Sequence, residues 1–119
     1  LVLPKANRLK HRRDFDAIYQ RGIRCGSYCF NLRALKQKTS PTAPTQIGIS
    51  ISRKVSKSAV VRNRIKRQVR AILRQFLPRL APGWQVVIGV RSQAVECDYQ
   101  KFLQELEQLL VKAEVLNGN

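Results

Sequence analysis

The strongest chemical signal lies in Arg53-Lys54-Val55-Ser56-Lys57 running into Val61-Arg62-Asn63-Arg64-Ile65-Lys66-Arg67, with Arg70 following on. Where a helix begins, unpaired backbone N–H groups and the helix dipole favour an anion. Lys54 and Lys57 precede such a start, and Arg62, Arg64, Lys66 and Arg67 follow it. Arginine forks onto phosphate oxygens, and an asparagine such as Asn63 can read a base edge or a ribose 2′-hydroxyl. A merely solvated helix face mixes Glu with Lys and gains about 0.3 kcal/mol for each i,i+4 pair. Here such pairs are like-charged and cost a similar amount, so helix stability alone does not select the pattern. The chemistry is polyanion binding.

A second set is Phe15 and Tyr19, one helical turn apart, with Asn31, Arg33, Ser50 and Ser52 on strand faces turned from the core. Aromatics beside amides and hydroxyls suit single-stranded nucleic acid, whose bases stack on rings for roughly 1–3 kcal/mol each. Phe15 and Tyr19 serve equally well to pack a helix on a sheet, and the sequence leaves both readings open. Signs of bond-breaking chemistry are thin. No Asp or Glu stands between Asp16 and Glu96, so a carboxylate pair or divalent-metal cluster would have to come from the two ends. His11 has no Ser, Cys or carboxylate partner at motif spacing, and no glycine-rich phosphate loop is present. Cys25 and Cys29, on one strand, would lie about 13 Å apart, too far for a disulfide. With Cys97 they read as reduced thiols, and one histidine without a paired CxxC argues against structural zinc.

Composition agrees with the motif. The chain has 119 residues, 23 Lys and Arg against 7 Asp and Glu, a net charge of +16, and a pI near 11.0. Residues 1–95 carry +19 and residues 96–119 carry −3, so one continuous stretch makes the basic surface. Charge on this scale disfavours a compact state unless a polyanion offsets it. The basic helix has one apolar stripe, which the core needs, rather than the broad apolar face of a membrane-surface helix, so nucleic acid is the expected partner and no membrane is. No run of 18 apolar residues and no signal peptide are present, which predicts a soluble, cytoplasmic protein. The absence of an initial Met is read as a trimmed start.

These residues need elements to position them. Residues 1–9 lack periodicity and read as an extended arm. Phe15, Ile18 and Tyr19 recur at helical spacing from about Lys10 to Gln20, and Gly22 is a stop signal. Residues 27–35 alternate, with Tyr28, Phe30, Leu32 and Ala34 on one face. A loop rich in Thr, Ser and Pro covers about 37–45. Gln46 to Ser52 alternates strictly, Ile47, Ile49 and Ile51 inward and Gly48, Ser50 and Ser52 outward. The small outward residues leave room for something to lie close over the sheet. Residues 57–77 form the longest helix, with Val61, Ile65, Val69, Ile72, Leu73 and Phe76 within an arc of about 120°. Trp84 to Val90 is a covered strand. Asp98 caps a last helix whose inner face is Phe102, Leu103, Leu106, Leu109 and Leu110, and about 114–119 reads as a flexible tail. The order α-β-β-α-β-α, with room for another strand before Ser27, predicts one α+β domain over 1–119. It is an α/β sandwich of an approximately four-stranded sheet and helices, the long basic helix forming a candidate parallel crossover.

Taken together, Asn7-Arg8-Leu9, Asp14-Phe15 with Tyr19 and Gly22, Gly48-Ile49-Ser50-Ile51-Ser52-Arg53-Lys54 and Ala59-Val60-Val61-Arg62-Asn63-Arg64-Ile65-Lys66-Arg67 resemble the protein component of bacterial ribonuclease P. The resemblance covers nearly the whole chain, and the Arg62-Asn63-Arg64 block is its most specific part. It implies a subunit of a ribonucleoprotein endonuclease in which a catalytic RNA removes the 5′ leader of precursor tRNA. No catalytic residue is then expected in this polypeptide, no cofactor is bound by it alone, and Mg²⁺ acts with the RNA. The resemblance assigns Arg62, Asn63, Arg64, Lys66, Arg67 and Arg70, led in by Arg53, Lys54 and Lys57, to the RNA subunit. Phe15, Tyr19, Asn31, Arg33, Ser50 and Ser52 would line the cleft for the leader, and the β-α-β crossover would be left-handed. Catalytic RNA and precursor tRNA are the implied partners, with no obligate protein partner. A general or ribosomal RNA-binding protein is the alternative. Three positions depart from the family pattern: Ser56-Lys57-Ser58 replaces a shorter glycine-containing turn, Ala71 a frequent Glu, and Arg33 an aromatic found in some members.

Overall fold

In the computed structural model, which describes residues 3–117, period-2 and period-3.6 segments become α1 (Arg12–Arg21), β1 (Ile23–Gly26), β2 (Phe30–Lys36), β3 (Gln46–Ser50), α2 (Ala59–Phe76), β4 (Trp84–Val90) and α3 (Tyr99–Lys112). The strand anticipated before Ser27 is β1. The sheet order is β1-β2-β4-β3, with β3 parallel to β4 and the other pairs antiparallel. The helix α2 is therefore the crossover between two adjacent parallel strands, as an α+β sandwich with these elements requires.

The sheet buries both faces, unequally. On one, Leu32, Ala34, Ile47, Val86 and Ile88 meet Ile65, Val69, Ile72, Leu73 and Phe76 of α2 and Phe102, Leu106, Leu109 and Leu110 of α3. The stripe read from the sequence of α2 is thus the buried one, and the Phe30 and Phe102 rings meet edge-on with centroids 5.2 Å apart. On the other face, α1 covers only part of the sheet through Leu9, Ile18 and Val87, with Phe15 and Leu35 half-buried beside them. At the end of α1 a side chain on Gly22 would stand 2.6 Å from the Ile18 carbonyl oxygen and 3.1 Å from that of Ala34, so close approach demands glycine.

Four expectations are corrected. Tyr28 is 53% exposed rather than inward, because β2 begins at Phe30 and the hairpin turn closes through Ser27 N–H donating to the Phe30 carbonyl. Ser52 lies beyond the end of β3, where its hydroxyl accepts from the Lys54 N–H at 3.2 Å in a turn. The supposed arm is docked where described: Leu3 and Leu9 are buried, Lys5–Asn7 makes a 3-10 turn, and the Leu9 N–H donates to Ile47 O. The tail is also packed as far as Asn117, since Val115 and Leu116 are apolar and buried, and Ala81 N–H donates to Val115 O at 2.8 Å. Residues 1–2 and 118–119 of these two segments lie outside the described residues.

Two acids of the C-terminal region have structural partners, Asp98 at the surface and Glu105 in the interior. Asp98 caps α3 by accepting from the Lys101 N–H at 2.9 Å. Glu105 is buried and accepts from the Ser27 hydroxyl and from the Cys29 N–H at 2.8 Å. Burial alone would raise its pKa. The hydrogen bonds from Ser27 and Cys29, helped by Lys101 at 3.5 Å, outweigh that and hold the carboxyl below its usual range. The Cys29 sulfur lies 3.0 Å from that of Cys97, a proximity the linear sequence hides, and all three cysteines are free thiols. Burial, then the Cys97 and Glu105 contacts, push the Cys29 thiol far up, so it stays protonated.

Candidate nucleic-acid interface

The start of α2 is built by its own side chains. The Ser58 hydroxyl accepts from the Val61 N–H at 3.3 Å, which caps the helix. In the loop before it, Val55 N–H donates to Ser52 O, and Ser58 N–H donates to Ser56 Oγ at 3.2 Å. Arg62 reaches back from the first turn, its Nη1 donating to Ser56 O at 2.7 Å. This folds the loop so that Arg53, Lys54, Lys57 and Arg62 line one concavity at the helix N-terminus. Four cations around an end already favourable to anions make a phosphate-binding geometry.

Further along, Asn63 and Arg67 are exposed, while Arg64 and Lys66 are half-buried. The Arg64 Nε is shielded from solvent and has no acceptor among the described residues. Among the described residues no carboxylate pairs with Arg62, Arg64, Lys66, Arg67 or Arg70. The carboxylates of the two ion pairs, Arg79 with Glu107 at 2.8 Å and Lys101 with Glu105 at 3.5 Å, both belong to α3. Among the described residues these five side chains are therefore not neutralised by a carboxylate. Arg70 departs from its sequence grouping. It passes the β3 edge of the sheet and lines a different concavity, with Arg8, Leu9, Phe15 and Gly48.

That concavity begins the second surface. The Phe15 ring lies directly on Gly48, where a Cβ would stand 2.8 Å from a ring carbon. The small residue on β3 makes room for this ring, which is half core and half cleft wall. In the next row across the sheet, Ser50 pairs with Gly89 and Gly89 with Asn31. Tyr19, Asn31, Arg33, Val87 and Gly89 line a shallow depression there. The Tyr19 ring is 44% exposed, with the Arg33 guanidinium 5.0 Å from its centroid and Arg33 Nη1 donating to Tyr19 O at 3.2 Å. Of the six cleft residues read from sequence, Phe15, Tyr19, Asn31, Arg33 and Ser50 are brought to this face, and Ser52 is not. Gly89 and Arg24 carry no motif in the sequence, and Arg8 stands there only as part of Asn7-Arg8-Leu9, without a cleft role. Gly89 did leave a signal, as a break in the apolar run from Val86 to Val90.

Among the described residues no group of three or more His, Cys, Asp or Glu side chains is placed to hold a metal ion, and no helix is long and apolar enough to cross a membrane. A family model described as Ribonuclease P matches residues 3–114. The chain belongs to the ribonuclease P protein family. It is 55% identical over 130 residues to the ribonuclease P protein component of a Cyanothece species, covering 98% of this chain and 99% of the relative. It is 56% identical over 117 residues to that of a Picosynechococcus species, covering 98% of each. The solved RNase P protein of Staphylococcus aureus superposes with a TM-score of 0.84 at 28% identity, over 95% of this chain and 100% of that one. The family assignment makes the chain a subunit of ribonuclease P, an endoribonuclease of tRNA 5′ maturation that works with an RNA subunit. A general RNA-binding protein without an associated nuclease is not favoured.

Proposed function

We propose that the chain divides its RNA contacts between two surfaces, the basic face of α2 holding the catalytic RNA and the α1–sheet cleft holding the single-stranded 5′ leader of precursor tRNA. One observation carries the division. Arg53, Lys54, Lys57 and Arg62 gather at the start of α2, on one side of the sheet, whereas Tyr19, Asn31, Gly89 and the half-buried Phe15 gather on the side that α1 covers.

On the first surface, Arg53, Lys54, Lys57 and Arg62 surround phosphate at the helix N-terminus, and Arg64 and Arg67 extend the track. On the second, Phe15 and Tyr19 offer ring faces to bases, and Asn31 and Ser50 offer hydrogen bonds to edges or sugars. Arg70 and Arg8 stand at the cleft wall and supply charge where the two surfaces approach. Mg²⁺ is assigned to the RNA subunit, because the stretch from 17 to 95 is free of acids, so that the basic face of α2 carries no carboxylate, and α1 carries only Asp14 and Asp16. The setting is the cytoplasm.

Reconstitution with the catalytic RNA tests the reading. The protein alone leaves precursor tRNA intact. Added to its RNA, it lowers the metal requirement and makes the complex bind a precursor with a several-nucleotide leader better than mature tRNA. Equal affinity for the two would defeat the cleft assignment, and cleavage by RNA-free protein with Mg²⁺ would defeat the assignment of chemistry to the RNA.

A further inference from the structure

We infer that Arg24 and Arg33 form a phosphate-binding subsite at the β1 edge of the sheet, taking the leader strand after it has crossed the cleft. This rests on the reading of the cleft as the leader site. The two arginines are direct cross-strand partners, Arg24 on β1 facing Arg33 on β2. Opposed residues in an antiparallel pair hold their Cβ atoms about 5 Å apart, and like charges there repel. Both lie on the α1 side of the sheet, in the row that continues through Val87 to Gly48. Among the described residues no carboxylate pairs with either. Arg33 is steadied by the Tyr19 ring and carbonyl, while Arg24 is exposed and makes no hydrogen bond to the described residues.

Protection of a sheet edge accounts for one charge on β1 but not for a second placed against it. An anion between the two guanidinium groups turns the repulsion into a paired contact, and arginine forks suit a phosphodiester. The shape agrees. Arg24, Gly26, Asn31 and Arg33 line a concavity that shares Asn31 and Arg33 with the depression under Tyr19. From β3 to β1 is three inter-strand spacings, about 14 Å, so a strand anchored at Phe15 passes β4 before it meets Arg33 on β2 and then Arg24 on β1.

The test uses the reconstituted holoenzyme and two precursors, one whose leader ends within the cleft and one whose leader extends past β1. The readout is the ratio of their affinities. Arg24→Gln is expected to lower the preference for the long leader about fivefold and to reduce the salt slope of long-leader binding by about one, and Arg24→Lys to restore the slope but only part of the preference. An unchanged ratio, or equal weakening of both precursors, overturns the subsite. Phe15→Ala separates this from failure of the cleft itself. If Phe15→Ala leaves the preference for precursor over mature tRNA intact, the cleft reading falls and the subsite with it. If Phe15→Ala abolishes that preference while Arg24→Gln leaves the ratio alone, only the subsite is lost.

Discussion

The face of α2 and the cleft under α1 are made by opposite means. The helix adds charge to a scaffold whose apolar stripe is left intact for the core. The cleft subtracts side chains: Gly48 leaves the space that the Phe15 ring fills, and Gly89 leaves bare backbone in the depression beside Tyr19. One surface therefore tolerates loss of a residue at the cost of one contact. The other depends on the absence of atoms, and adding a few of them disturbs packing and binding together.

The comparison breaks most visibly at Gly48. A Gly48→Val change puts carbon where the Phe15 ring lies, and overpacking of this kind costs about 1–3 kcal/mol. The expected outcome is a lower urea midpoint and loss of leader preference in the holoenzyme, with the salt slope of catalytic-RNA binding unchanged. A changed slope would mean that the two surfaces are not separate. Phe15→Ala approaches the same site from the other side. Its ring is only half-buried, so the stability loss should be about 2 kcal/mol, below that of a fully buried phenylalanine, and one stacked base should be lost. The measurement is leader discrimination beside urea unfolding. A loss confined to stability would return Phe15 to the core alone.

The same contrast explains what the sequence revealed. The stripe of α2, the Asp98 cap and the alternation of Gln46 to Ser50 are local patterns, and each reappears in the fold. The basic face was legible because one element carries it. The cleft was legible only in part, since Phe15, Asn31, Gly48 and Gly89 are far apart in sequence and meet through strand order. Arg70 was grouped with α2 by helical phase, yet the β3 edge lets it reach the cleft. The arm and tail carry too few residues for periodicity, so their docking through Leu3, Leu9, Val115 and Leu116 left no pattern to read. Cys29 and Cys97 meet only because the β2 hairpin folds onto the segment before α3.

The acidic end supplies a control that belongs to neither surface. Glu105 has a folded pKa depressed below its unfolded value, so its stabilising contribution is present above the unfolded carboxylate range and is lost as pH falls through the folded pKa. Glu105→Gln should lower stability by about 1–2 kcal/mol at neutral pH, because the donors Ser27 and Cys29 lose an ionised acceptor. Urea unfolding at neutral and acidic pH checks this. The gap between variant and parent should narrow on acidification, and a gap that does not change with pH would place the effect in packing rather than charge. Leader preference at neutral pH should stay as it was while the domain is folded.

The smallest effect is expected at Arg64. It stands on the charge-dense surface, where neighbours share the work and a single loss is diluted. Arg64→Ala should weaken binding of catalytic RNA by about 1 kcal/mol and lower the salt slope by about one ion, as for one phosphate contact. The shielded Nε sharpens this expectation. If Nε donates to a fixed phosphate oxygen, Arg64→Lys keeps the charge but loses the fork, so it should recover the salt slope without the full affinity. Arg67, exposed and free of that constraint, should accept Lys with little change. Equal tolerance at both positions would make the helix face a uniform field of charge. Unequal tolerance would show that it holds RNA in one register.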